Sequence, residues 1–70
     1  MGGKYICIVT SDNTHERAYS VNSTSAMKAA MRFGRGEAGE IVTIMTKRTR
    51  RIISRVMWWN DLGGYHHHQL

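Results

Sequence analysis

Four consecutive residues with helix-capping side chains, Asn22-Ser23-Thr24-Ser25, divide this chain and fix where a helix can begin. Each can accept a bond from a backbone N–H that the first turn of a helix leaves without a partner. Beyond them Ala26, Met27, Ala30, Met31 and Phe33 recur at spacings of three and four, one apolar stripe. Lys28, Arg32 and Arg35 lie off the stripe, and basic residues late in a helix suit its negative end. Gly34 or Gly36 is expected to end the helix in a left-handed cap. Asn22-Ser23-Thr24 also fits the glycosylation pattern, and is read here as part of the cap.

On either side of this helix the residues favour strands. Tyr5-Ile6-Cys7-Ile8-Val9-Thr10 is a short β-branched run bounded by turn formers. Ser11-Asp12-Asn13-Thr14 supplies a turn, and Glu16 to Val21 returns as a second strand with Arg17, Tyr19 and Val21 on one face. Ile41-Val42-Thr43-Ile44-Met45-Thr46 is a third strand on composition. Arg51 to Trp59 is open to two readings. As a strand it returns from a tip at Lys47-Arg48-Thr49-Arg50; as a helix capped by Thr46 it places Ile52, Ile53, Val56, Met57 and Trp59 at helical spacing. β-branched and aromatic content favours the strand, and basic residues in a first turn oppose the helix dipole.

These elements predict an α+β fold, a small two-layer sandwich. An antiparallel sheet of three to four strands in the order β-β-α-β-β carries one helix on one face. Residues 1–64 form the single domain and residues 65–70 a flexible tail containing His66, His67 and His68. Ile6, Ile8, Tyr19, Val21, Val42 and Ile44 are expected beneath the helix. Tyr5, Cys7, Val9, Ile41 and Met45 are expected on the other face, with Tyr5 a weak stacking candidate. That face is too apolar for open water, so a strand or the tail covers it, or it is an interface that can form a homodimer. A chain of 70 residues has a small core, and one cysteine can form no internal disulfide, so packing or a partner must supply stability.

The functional signal is charge. Net charge is +5, and five of the ten basic residues fall in Lys47-Arg48-Thr49-Arg50-Arg51-Ile52-Ile53-Ser54-Arg55, with no acid among them. Such clustering costs self-repulsion that an anionic partner relieves. Arginine suits phosphate because its planar fork donates two parallel bonds and stays ionised. Trp58 and Trp59 follow directly, and an aromatic ring beside a basic stripe can stack on unpaired bases. Neighbours on a strand face opposite ways, so one of the two is expected to anchor the core. The expected partner-binding residues are therefore Lys47, Arg48, Arg50, Arg51, Arg55, Trp58 and Trp59. Their partner is the phosphate backbone of DNA or RNA, with an acidic patch on a protein as the alternative.

Other classes find little support. His66-His67-His68 lacks the fixed geometry of a native metal site, and no metal or cofactor is expected. His15 reads as a solvated residue in or beside the first turn. Cys7 sits mid-strand as a small apolar residue, and the acids Asp12, Glu16, Glu37, Glu40 and Asp61 form no catalytic pair, so no enzyme activity is expected. No run approaches the ~18 apolar residues that span a bilayer. Met1-Gly2-Gly3-Lys4 carries no signal-peptide pattern, and a lone cysteine suits a reducing compartment, so a cytoplasmic protein is expected.

The pieces Tyr5-Ile6-Cys7-Ile8-Val9, Ser11-Asp12-Asn13, Ser23-Thr24-Ser25-Ala26 and Gly39-Glu40-Ile41-Val42-Thr43 together resemble the small inhibitor of bacterial RNA polymerase made by T7-type phages. The resemblance covers Tyr5 to Met45. It implies a hairpin, a capped helix and a third strand, an origin in a phage or mobile element, and a host-takeover role in the bacterial cytoplasm. In that family arginines of the third strand meet an acidic polymerase surface. Here the matching Ile44-Met45-Thr46 is uncharged, and positive charge arrives at Lys47 and Arg48.

Overall fold

The computed structural model describes residues 3–12 and 14–68. Met1, Gly2, Asn13 of the first turn, and Gln69 and Leu70 of the expected tail lie outside them. The chain folds in the order β1 (Tyr5–Ser11), β2 (Thr14–Val21), α1 (Ala26–Phe33), β3 (Ile41–Thr46), β4 (Ile52–Trp59), β5 (Gly64–His67). Five strands form one sheet in the order β2-β1-β3-β4-β5, with every neighbouring pair antiparallel. The α+β class is as expected, and the sheet is wider by a strand.

Helix α1 begins where the caps place it. Ser25 is the N-cap, its side chain accepting from the Lys28 N–H at 3.2 Å. Strand β4 adds a second cap from the sheet: Ser54 Oγ accepts from Ala26 N at 3.0 Å and donates to Thr24 O at 2.6 Å. The buried stripe is Ala26, Ala29 and Ala30, flanked by half-buried Met27 and Phe33. Three alanines let the helix axis lie close to the sheet. Met31 belongs to the expected stripe but is 78% exposed, because it sits about 100° around the helix from Ala30. Gly34 closes the helix with φ −74°, an extended cap in place of the expected left-handed one. Its missing side chain matters for space: a Cβ there would meet Tyr65 Oη and Ala30 O.

Beneath the helix lie Cys7, Val9, Val42, Ile44 and Val56, all buried. The phase of β1 is therefore the reverse of the expected one. Cys7 stands opposite Ile44 and Tyr19, and Val9 opposite Val42, while Ile6 and Ile8 share the far face with Met45 and Thr43. Tyr5 consequently packs against the core from the helix side. Strand β1 is central and apolar at both phases, so alternation could not fix its face; pairing with β3 does.

The region from Arg51 to Trp59 takes the strand alternative, as β4. A β-bulge sets Ile44 opposite Ser54 but Met45 opposite Ile52, leaving Ile53 as the extra residue. Gly64–His67, expected to belong mostly to a loose tail, is instead an edge strand paired with β4, Trp58 opposite Tyr65 and Met57 opposite His66. Tyr65 holds it there by contacts that are distant in sequence, described below.

Candidate nucleic-acid interface

Lys47, Arg48, Thr49 and Arg50 form the β3–β4 turn, and with Arg51 all are exposed. The turn is braced through Thr46. Its carbonyl accepts from Arg50 N at 3.0 Å, its N–H donates to Arg51 O at 2.9 Å, and its hydroxyl accepts from Arg51 N at 3.1 Å. The Thr46 and Thr49 hydroxyls lie 2.6 Å apart. This bracing leaves the four basic side chains outward on one short ribbon. Lys47 N also donates to Lys4 O at 3.3 Å, which sets a further exposed cation beside the turn. Among the described residues the one ion pair is Arg17–Glu40, so no described carboxylate pairs with the tip.

Arg50 has φ +60°, the one described non-glycine residue in the left-handed region. Its Cβ crowds the backbone there, at a cost of about 1 kcal/mol relative to glycine. A bulky cation at a position that suits glycine is a local cost with no local gain.

Arg55 is elsewhere. It lies mid-way along β4 on the face away from the helix, half-buried, in the cross-strand row Ala18–Ile8–Thr43–Arg55. That open face also presents Ile6, Ile41, Met45 and Met57, all half-buried, and Trp59, which is 44% exposed. Trp58 points the other way. Its ring lies 3.4 Å from where a Cβ of Gly36 would be, meets Tyr65 edge-on at 5.0 Å, and donates its indole N–H to Asn60 Oδ1 at 2.6 Å. Of the seven residues expected to bind, four share the tip, Arg55 and Trp59 share the open face, and Trp58 is a packing residue beneath the sheet. Lys4 is not singled out in the sequence, and His68 is assigned there to a flexible tail. Lys4 is brought to the tip by the β1–β3 register, and His68 beside Arg55 by the bond from His68 N to Arg55 O at 2.8 Å. Neither placement carries a signal that a linear reading can find.

A buried carboxylate holds the frame. Glu40 is 0% exposed, and its oxygens accept from Arg35 N at 3.0 Å, from Gly36 N at 3.2 Å and from the Tyr65 hydroxyl. Arg17 approaches it at 3.6 Å and also donates to Phe33 O at 3.2 Å and Tyr19 Oη at 3.3 Å. Tyr19 and Phe33 stack at 4.0 Å. One acid thus ties the loop after the helix to strands β2 and β5. Gly36, at φ +68°, makes that turn beneath the Trp58 ring. Burial, then the bond to Glu40, pushes the Tyr65 hydroxyl up to about 12. Burial pushes the Cys7 thiol up to about 11 against the opposing pull of Arg17, so it is a protonated core group at neutral pH.

Among the described residues no group of three His, Cys, Asp or Glu is placed to hold a metal ion. His15 lies in β2, exposed. No helix among them is long and apolar enough to cross a membrane.

Comparison of the chain with protein-family models, curated proteins and solved structures returned no match.

Proposed function

We propose that this chain is a non-enzymatic binding protein that docks the phosphates of DNA or RNA on the β3–β4 tip. One observation carries the reading: Lys47, Arg48, Arg50 and Arg51 stand exposed on one braced turn, with no carboxylate among the described residues pairing with them. The chain holds these charges together and leaves their compensation to a partner. A polyanion with regularly spaced charge fits a row of arginine forks, and a two-stranded ribbon has the width of a major-groove reader. The left-handed Arg50 supports the same reading, because a residue kept where glycine is easier is one whose side chain is needed.

Titration of labelled oligonucleotide over a range of salt tests this. Four phosphate contacts give a slope of log K against log salt of about −3 to −4. Binding that is absent at low salt, or independent of salt, contradicts the proposal.

A second reading has its own support in the open sheet face. Ile6, Ile8, Ile41, Met45 and Met57 offer the aliphatic surface that suits a protein partner, with the basic tip meeting an acidic patch beside it. A phage or mobile-element inhibitor of a host enzyme such as bacterial RNA polymerase, acting in the bacterial cytoplasm, is of this kind. Nuclease-treated pull-down from bacterial lysate separates the two readings: one dominant retained protein favours the inhibitor, and loss of all capture on nuclease treatment favours nucleic acid.

A further inference from the structure

We infer that the open face of the sheet is a platform for single-stranded nucleic acid, with Arg55 donating to acceptors of the strand, His68 beside it, and Trp59 stacking on a base. This rests on the phosphate-docking tip and names the form of nucleic acid that the same molecule selects.

The first observation is a pair of orphaned polar atoms. Arg55 Nε and His68 Nδ1 are both buried and have no hydrogen-bond partner. Arg55 lies in β4 and His68 directly follows β5, the two joined by the bond from His68 N to Arg55 O at 2.8 Å. A buried polar atom without a partner carries a desolvation cost that the folded chain does not recover, and a ligand oxygen that reaches Arg55 Nε as its side chain turns outward recovers it. The second is Trp59, 44% exposed on the same face of the same strand as Arg55. They are four positions apart, about 13 Å along the strand, so they would touch different nucleotides of one chain. The third is charge. By strand alternation Glu16 is the one acid on this face among the described residues, and it lies on the far edge strand, β2.

Width bars the face from reading a duplex through its groove. Five strands span about 19 Å from first to last. A major groove is about 12 Å wide, so the tip can enter one but the face cannot. Unpaired bases have no such limit, and they lie flat on aromatic and aliphatic side chains. A second copy of this chain is the poorer occupant, because it would bring another Arg55 to the face and a single carboxylate, Glu16 on the far edge strand, to meet it.

The test uses the full chain with a short fluorescein-labelled DNA strand of mixed sequence, free or annealed to its complement, and variants Trp59→Leu and Arg55→Met. Wild type should bind the free strand at least tenfold more tightly than the duplex. Each variant should lose about tenfold on the free strand, the value of one stacking or charged contact, and keep its duplex affinity. Equal wild-type affinity for both forms, or variants unchanged on the free strand, overturns the inference while leaving the tip in place. Failure of wild type to bind either form at low salt removes the tip reading and this one together. If either variant loses its far-UV circular dichroism, wild type photocrosslinked to a thiothymidine strand supplies the answer. Adducts at Trp59 or Met57 support the platform, and adducts confined to 47–51 overturn it. A dimer by light scattering that persists with oligonucleotide bound, and that Trp59→Leu makes monomeric, assigns the face to a second copy and likewise overturns it.

Discussion

Arg50 and Tyr65 make opposite bargains with their surroundings. Arg50 holds φ +60° at the exposed tip, where glycine adopts the same backbone without crowding. Arg50→Gly should therefore raise stability by up to about 1 kcal/mol in urea denaturation and at the same time weaken oligonucleotide binding. Tyr65 is committed to the fold through Glu40 and the Gly36 N–H, which donates to its hydroxyl at 2.9 Å. Tyr65→Phe should cost about 1–2 kcal/mol at neutral pH by leaving those buried groups short of a partner. The alkaline limb gives a sharper check. Tyr65 and Cys7 bind their protons more tightly in the folded chain, at about 12 and about 11, than the ordinary 10.0 and 9.0. Their contribution is complete below about pH 9 and is lost as pH rises toward 12. Tyr65→Phe should flatten the fall between pH 10 and pH 12, leaving the Cys7 part; urea midpoints of both proteins across that range measure it.

At the scale of the element, legibility followed the range of the interactions. Helix α1 was readable because Ser25 caps its own first turn, three residues from the N–H it bonds. The first-strand phase was not, because Ile6, Cys7, Ile8 and Val9 are apolar at both phases and only the partners across the sheet choose between them. Strand β5 was unreadable for a related reason. Its Tyr65 is fixed by Glu40, 25 positions away, and by the Trp58 edge contact, while its histidines read as solvent-facing tail. Phase can be tested directly. Val9→Ala removes fully buried carbon and should cost about 2 kcal/mol. Ile8→Ala deletes more carbon yet should cost less, since Ile8 lies half-exposed on the open face. Thermal melts of the two variants decide the order, and the reverse order would put β1 back in the phase its sequence suggested.

Over the whole molecule, function reads as a separation of charge. Glu40 is consumed inside by Arg17 and two backbone N–H groups, and Glu37 accepts from Ser11 Oγ at 2.8 Å. The remaining acids, Asp12, Glu16 and Asp61, are exposed singly, whereas cations gather at the β3–β4 tip. The tip was legible in the sequence because its charges are contiguous; Lys4, Arg55 and His68 needed the sheet to place them. The most direct measurement is oligonucleotide affinity at low salt for wild type beside the variant Arg48→Glu, Arg50→Glu and Arg51→Glu, with circular dichroism and melting on both. The substituted residues are exposed and outside the core, so the variant should keep its spectrum and its melt while its binding disappears. A folded variant that binds as wild type does would contradict the claim that the basic tip is where this protein meets its partner.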